Sequence, residues 1–216
     1  YDGTDFVPGD KYVAIYPHTA NSPRSVNFGA KVISSGDDRM AYHMSQIKVP
    51  EVQTLVAGSF DRTAAVAIAF SDDLSVMNFK NAVALIKFKV ADESITRGCI
   101  KAEGTMISGT FKACVLESDG HEPVLVNYSS GTAYAQVEFS LKGNSALSPE
   151  DDYYVAVRPT ALQNGFSIYL NGEIVKRYDI AEIKRNVIYD LGTLSVSQTQ
   201  DDAMMKTMSF DFSSDE

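Results

Sequence analysis

The residue types that most often carry catalysis or bind metals are scattered along this chain of 216 residues. The three histidines, His18, His43 and His121, share no short motif with one another or with the cysteines. Cys99 and Cys114 lie fifteen residues apart, too few cysteines for a disulfide framework. The pattern favours buried free thiols over a disulfide between them. A zinc site built from His121 and both cysteines is the least favoured alternative, because the usual ligand spacing is absent.

Carboxylates are the second group that could do chemistry, and they occur as four adjacent pairs. None of the pairs has the spaced ligands of a calcium loop, and adjacent residues on a strand point to opposite faces, which suits a glycosidase poorly. A hydrolase would instead need two acids about 5–10 Å apart across strands. Nucleophile-elbow, Walker, dinucleotide-binding and zinc-protease motifs are also missing. The sequence therefore predicts a protein that is not an enzyme and has no cofactor. The pairs are Asp37-Asp38, Asp72-Asp73, Asp151-Asp152 and Asp201-Asp202.

Composition excludes two further classes of function. The net charge is −9, whereas a nucleic-acid partner would require a basic face that neutralises phosphates. No apolar run reaches eighteen residues, so no transmembrane helix is predicted. Hydrophobic residues make up 44% of the chain, enough for one large all-β domain or two smaller sandwiches.

The stretch 76–90 is the element around which the rest of the chain is organised. It alternates apolar and polar residues, becomes continuously apolar at 82–86, and alternates again to Val90. We interpret it as one long strand, with Lys87 and Lys89 facing water and Ile86 and Phe88 facing a core. A buried helix is the competing interpretation, but no capping signal opens one.

About twelve short strands separated by turn residues predict an all-β fold. The pair Asn171-Gly172 is a strong hairpin signal, a second hairpin is predicted around Glu103-Gly104, and residues 180–185 could form a helical turn. Residues 53–69 are ambiguous between a loop and a strand of small residues. The remaining strand predictions are 12–16, 25–28, 40–47, 95–102, 106–115, 124–128, 133–141, 153–157, 166–170, 173–178 and 187–194.

The segment after residue 194 differs in character, with five acidic residues and one lysine. Met208, Phe210 and Phe212 alternate with polar residues as a strand does. Two interpretations stay open: a frayed polar terminus, or a strand that pairs with a sheet edge. In the second case these three residues would form a subunit-contact strand.

Several short phrases occur in a set order over residues 9 to 194. They are GDKYVAIYP at 9–17, VPEVQ at 49–53, FKNA at 79–82 with LIKF at 85–88, ISG at 107–109, YYVAVRP at 153–159, and KRN at 184–186 with YDLG at 189–192. Each phrase alone is an ordinary strand or turn sequence. Taken together and in this order, they resemble the fimbrillin (Mfa-like or FimA-like) family of Bacteroidetes surface proteins.

The resemblance implies two tandem transthyretin-like Greek-key β-sandwich domains. These would be residues 1–75, with a first strand upstream of Tyr1, and residues 76–200, followed by an acidic tail at 201–216. It also implies an exported lipoprotein, anchored to the outer membrane by a lipid on a cysteine before Tyr1. Such proteins form or decorate fimbriae and join other subunits by strand donation.

The leading hypothesis is therefore a fimbrial subunit or adhesin at the cell surface. Its partners would be other fimbrial subunits and a host or bacterial surface receptor. The alternative is a glycan-binding module of a surface nutrient-uptake system. Eleven tyrosines and no tryptophan favour this alternative less, because sugar platforms favour tryptophan and strand tyrosines usually pack in cores.

Overall fold

The computed structural model describes residues 12–18, 26–29, 41–71, 75–116, 120–196 and 206–209, and there the fold is all-β, as predicted. The only helical element in these ranges is a 3₁₀ turn, Lys142–Asn144. The strands are β1 Tyr12–Tyr16, β2 Val26–Gly29, β3 Ala41–Val49, β4 Val52–Leu55, β5 Ala67–Ser71, β6 Phe79–Asn81, β7 Ala84–Val90, β8 Arg97–Lys101, β9 Ser108–Leu116, β10 Pro123–Asn127, β11 Ala133–Tyr134, β12 Gln136–Leu141, β13 Tyr153–Val157, β14 Thr160–Ala161, β15 Phe166–Leu170, β16 Glu173–Tyr178, β17 Glu182–Ile183, β18 Val187–Leu194 and β19 Lys206–Ser209.

These strands form several small sheets rather than one continuous sheet. The orders are β1-β5-β6, β10-β9-β3-β2 with β11 also on β9, β16-β15-β8-β12-β4, β13-β7-β18-β19, and the pair β14-β17. Most neighbours are antiparallel, but β12 pairs with β4 and β18 pairs with β7 in parallel.

The sheet β13-β7-β18-β19, called here the central sheet, contributes to two buried clusters. On β7, Ala84 and Ile86 pack into the larger core, whereas Leu85 between them packs into the smaller core. On β13, Ala156 likewise faces the smaller core. Strands covered on both faces become continuously apolar, which explains the run at residues 82–86. The larger core is centred on Ile86, Phe88, Val137, Phe139, Val155 and Phe166, and the smaller on Met44, Ile47, Ile68, Phe111 and Val115.

The prediction of a single strand over 76–90 is wrong. The stretch contains two strands, β6 and β7, which belong to different sheets. The chain changes sheets at Ala82, whose N–H still bonds the Val66 carbonyl at 2.8 Å, and at the buried Val83. The change of pattern at 82 marks this crossing. The predicted facing within β7 is confirmed, because Ile86 and Phe88 are fully buried while Lys87 and Lys89 are not.

Local turn chemistry predicted one hairpin correctly and another incorrectly. Asn171 and Gly172, both at positive φ, join the antiparallel pair β15 and β16. The turn at Glu103-Gly104 instead carries the chain from β8 into a different sheet, so that prediction is wrong. Residues 180–185 contain the short strand β17 rather than a helical turn.

Strands on both sides of residue 76 pair with one another. β3 is bonded to β9, and β4 is bonded to β12. The sheets therefore combine early and late parts of the chain. The division into residues 1–75 and 76–200 stays a prediction.

Candidate functional site

One outer edge of the central sheet, along β13, is closed by a buried glutamine. The Gln53 amide nitrogen donates to the Ala156 carbonyl at 2.7 Å, and the Ala156 N–H donates to Gln53 Oε1 at 2.9 Å. The same nitrogen also donates to the Pro50 carbonyl at 3.1 Å, and Gln53 is only 1% exposed. The side-chain amide therefore pairs with β13 as a neighbouring strand would.

Other groups close the edge of β13 on either side of this amide. The Gly58 N–H donates to the Asp152 carbonyl at 2.9 Å, and Phe60 forms a parallel bridge with Tyr154. Beyond the strand, the Arg158 N–H donates to the Ile107 carbonyl at 2.8 Å. These groups occupy the positions that an incoming strand would need.

The opposite edge of the central sheet is β19, which pairs antiparallel with β18 over four residue pairs. Met208 stands opposite Ile188 and is 47% exposed, and its neighbours Thr207 and Ser209 are exposed as well. Of the two interpretations of the tail, the structure shows pairing with a sheet edge for residues 206–209. Phe210 and Phe212 lie outside the described residues. A role for these residues in subunit contact stays a prediction.

The edge strand β10 is poorly suited to pair with a further strand, because of its first residue and of a nearby arginine. It begins with Pro123, which has no N–H to offer to a new strand. Arg158 Nε donates to the Leu125 carbonyl at 3.0 Å, so that acceptor is already used. A partner strand would have to displace this arginine.

A cleft of about 520 Å³ lies between β10 and the β14-β17 pair, with Arg158 in its wall. Arg158 Nη1 donates to Asn127 Oδ1 at 3.0 Å and to the Met106 carbonyl at 3.3 Å. The guanidinium also lies over the Phe111 ring, 4.8 Å from its centre, a cation–π geometry. Burial lowers the pKa of Arg158, but an arginine in a protein stays protonated. Arg158 is therefore a fixed cation within the cleft.

A second arginine of the cleft is held by an acidic partner. Arg185 Nη1 donates to the Asn81 carbonyl at 2.8 Å, and Nη2 pairs with the Glu122 carboxylate. Lys80 Nζ lies 3.7 Å from the same carboxylate. Burial lowers the pKa of Arg185. Glu122 therefore has two cationic partners of its own.

Of the four acid pairs in the sequence, only Asp151-Asp152 lies among the described residues. Lys87 Nζ is 3.4 Å from Asp152 and 3.1 Å from Asp190 of β18. Burial acts to lower the pKa of Lys87, but the hydrogen bond and charge of Asp190, with the charge of Asp152, outweigh it and raise the pKa. Asp152 thus belongs to an ion-pair cluster on the central sheet.

Both cysteines are free thiols, as predicted, but only Cys114 is buried and Cys99 is partly exposed. They lie in separate sheets. Burial, with a smaller contribution from Glu138, raises the pKa of Cys99 to about 11, so its thiolate is scarce at neutral pH. Cys114 is buried, with Sγ 3.6 Å from His43 Nδ1.

The zinc alternative is wrong. Within the described residues, which include His121, Cys99 and Cys114, no three His, Cys, Asp or Glu side chains gather as metal ligands would. His121 instead stacks on Phe70, with ring centres 4.2 Å apart.

No helix among the described residues qualifies, by length and hydropathy, to span a bilayer.

Comparison with solved structures gives distant likenesses. No protein-family model matches the chain, and no curated protein matches its sequence. A crystal structure described as a "putative cell adhesion protein" from Bacteroides uniformis is similar over 96% of this chain and 93% of the other. The two sequences are 10% identical and the TM-score is 0.42. At these values the likeness carries no argument about function, so the proposals below rest on the residues of this chain.

Proposed function

We propose that this is a fimbrillin-like protein of the bacterial cell surface, a fimbrial subunit or adhesin that acts through assembly and cell adhesion. Its partners would be other fimbrial subunits and a surface receptor, and a lipid would anchor it or its fimbrium to the outer membrane. The ordered phrases from 9 to 194 support this proposal, together with the all-β architecture. Two tandem transthyretin-like sandwiches are part of the same proposal.

The observation that carries the assembly mechanism is the strand β19. It contributes backbone hydrogen bonds to the edge of the central sheet, while Thr207, Met208 and Ser209 remain exposed. A strand whose described side chains are exposed gains little from packing, so an equivalent strand from another subunit could replace it at little energetic cost. In this exchange, residues 206–209 of a neighbour would take the place of β19 on β18.

The receiving surface would be β18 itself. Ile188 of β18 packs against the smaller core, and Tyr189 lies in the larger core, where its hydroxyl donates to the Glu182 carbonyl at 3.3 Å. Packing on both faces holds β18 in place whether or not β19 is bonded to it. Exchange of β19 would therefore leave the rest of the fold intact.

Deleting residues 200–216 tests strand donation. Oligomers measured by light scattering after size exclusion should disappear, whereas the circular dichroism of the β-sheets should not change. A matched pair isolates the backbone: Met208→Pro removes a strand N–H and should weaken assembly, whereas Met208→Ala keeps it and should not. Assembly that survives the deletion unchanged would show that this strand is not the link.

A second candidate function, a glycan-binding module, is favoured by the cleft beside β10. Its volume of about 520 Å³ is in the usual range for small-ligand sites, and polar side chains line it. Glycan binding through this cleft and assembly through β19 use different surfaces.

A further inference from the structure

The cleft between β10 and the β14-β17 pair has a local excess of positive charge in a chain of net charge −9. Lys112, Lys184 and Arg158 all line it, and among the described residues none of the three has a carboxylate within ion-pairing distance. Glu122 already pairs with Arg185 and Lys80. The remaining carboxylate of the wall is Glu182. An anionic ligand would therefore meet three cations that form no ion pair with a described carboxylate.

Arg158 is the best-positioned of these cations. Hydrogen bonds from Nε and Nη1 fix its guanidinium to Leu125, Asn127 and Met106, and the ring of Phe111 supports its face. The part of the chain that the structure describes provides no partner for Nη2, which leaves its two N–H groups for a ligand. A half-buried cation without a counter-ion is unfavourable. A carboxylate or sulfate would relieve this cost through charge-assisted hydrogen bonds.

The wall also carries groups that suit hydroxyls. The Glu182 carboxylate can accept hydrogen bonds from sugar hydroxyls, and the amide nitrogen of Asn127 can donate to their oxygens. The Thr160 hydroxyl donates to the Ala161 carbonyl at 3.3 Å, so toward a sugar it can act as an acceptor. Cations beside hydroxyl partners match a ligand that combines an acidic group with several hydroxyls.

An extended peptide fits this wall less well. A strand that bound along β10 would find no N–H at Pro123 and an occupied carbonyl at Leu125. Recognition in the cleft must therefore come from side chains, as is usual for sugars, rather than from backbone pairing.

We propose that this cleft binds an acidic saccharide, a sugar unit that carries a carboxylate or a sulfate. The Arg158 guanidinium would bind the acidic group, with Lys112 and Lys184 adding charge, and Glu182 and Asn127 would bind ring hydroxyls. This inference deepens glycan binding, the second candidate function, and is independent of strand donation.

The test is titration calorimetry of the full chain with three probes: a glucuronate-containing disaccharide, its sulfated form, and the neutral disaccharide with glucose in place of glucuronate. We expect saturable binding of at least one acidic probe and at least about tenfold weaker binding of the neutral one, since a charged hydrogen bond contributes about 1.5–3 kcal/mol. Affinity for the acidic probe should fall as salt rises.

Variants localise the site. Lys112→Gln and Lys184→Gln should each weaken binding of the acidic probe about fivefold, whereas Lys142→Gln, an exposed lysine outside the cleft, should not. Arg158→Gln should abolish binding, and its circular dichroism shows whether it folds; the lysine variants decide the question if it does not.

Three outcomes would overturn the inference. Equal affinity for the neutral and acidic probes would show that the ligand need not be acidic, while still supporting glycan binding. Full affinity in both lysine variants would place the site elsewhere. If none of the three probes binds, the inference is wrong and the cleft no longer supports glycan binding. Strand donation is unaffected by this result, because the deletion of residues 200–216 tests it separately.

Discussion

The two edges of the central sheet show opposite ways of ending a sheet. At β13 the edge is closed by groups from distant segments: the Gln53 amide, the Gly58 N–H and the bridge from Phe60. At β19 the edge is a four-residue strand, and the side chains of Thr207, Met208 and Ser209 are all exposed. The closed edge is buried with the cores, and the open edge is not.

This difference shows that hydrogen bonds alone do not fix an edge. A backbone hydrogen bond contributes a net of about 1 kcal/mol, because the unbonded groups can bond water instead. A buried group has no such substitute, and losing its partner leaves it unsatisfied. The β13 edge is therefore held by buried groups that have no substitute for their partners, whereas the exchange proposed above for β19 would cost less.

The largest expected effect is at the closed edge. Gln53→Ala leaves both the N–H and the carbonyl of Ala156 without their partner, and we expect a loss of about 3 kcal/mol in the free energy of unfolding. Urea denaturation measures it. Gln163→Ala, the same change at an exposed glutamine, should shift stability by less than about 0.5 kcal/mol. Equal midpoints for the two variants would show that the amide does not hold this edge.

A smaller effect is expected between the edges, at the ion pairs of Lys87. Lys87→Met should lower stability by about 1 kcal/mol at pH 7, because Asp152 and Asp190 lose their common cation. Since the pKa of Lys87 is raised in the folded state, its contribution is complete below about pH 10.5 and disappears as the pH rises through that raised pKa.

Urea unfolding of both proteins at pH 7, 9 and 11 measures this dependence. Lys89→Met is the control, since Lys89 donates to the Glu150 carbonyl rather than to a carboxylate. This substitution should lower the free energy of unfolding by less than Lys87→Met does. A difference between wild type and Lys87→Met that persists unchanged at pH 11 would contradict the ion-pair explanation.

The smallest effect is expected at the open edge. Met208→Ala should change the unfolding free energy by less than about 0.5 kcal/mol, because the side chain is exposed. The same truncation at Met44, fully buried in the smaller core, should cost about 3 kcal/mol. Thermal unfolding of the pair gives the comparison. Similar losses at both methionines would mean that β19 is anchored by packing and is not exchangeable.

Several strands were predictable as runs of β-branched and aromatic residues bounded by turn residues, whereas the clearest period-two segment, 133–141, divides into β11 and β12. The predicted strands 153–157, 166–170, 173–178 and 187–194 have the same bounds as β13, β15, β16 and β18. Sequence patterns did not specify partners. The stretch 76–90 shows the crossing only as a change of pattern at residue 82, where the chain becomes continuously apolar because β7 is covered on both faces. The pattern does not show that β6 and β7 belong to different sheets.

The site was less predictable than the strands for the same reason. Gln53 and Arg158 both lie in phrases that resemble the fimbrillin family, but their roles depend on partners far along the chain. Gln53 bonds Ala156, 103 residues away, and Arg158 bonds Leu125, 33 residues away. A charged residue at the end of an apolar run was an available signal for Arg158, whereas Gln53 lies beside other polar residues and gave none. Met208 was identified because the alternation of apolar and polar residues around it can be seen in the adjacent sequence, without knowledge of a distant partner.

The parallel pairing of β7 with β18 determines when the protein can fold. Leu85 stands opposite Ile188, so the two strands meet only after a loop of about one hundred residues has closed. A newly made chain therefore holds Ile86 and Phe88 without one of their sheet neighbours until β18 has been synthesised. Both cores share this sheet, so neither is complete before then. Folding dominated by such distant pairings is slow, and the two cores are expected to become stable together and late.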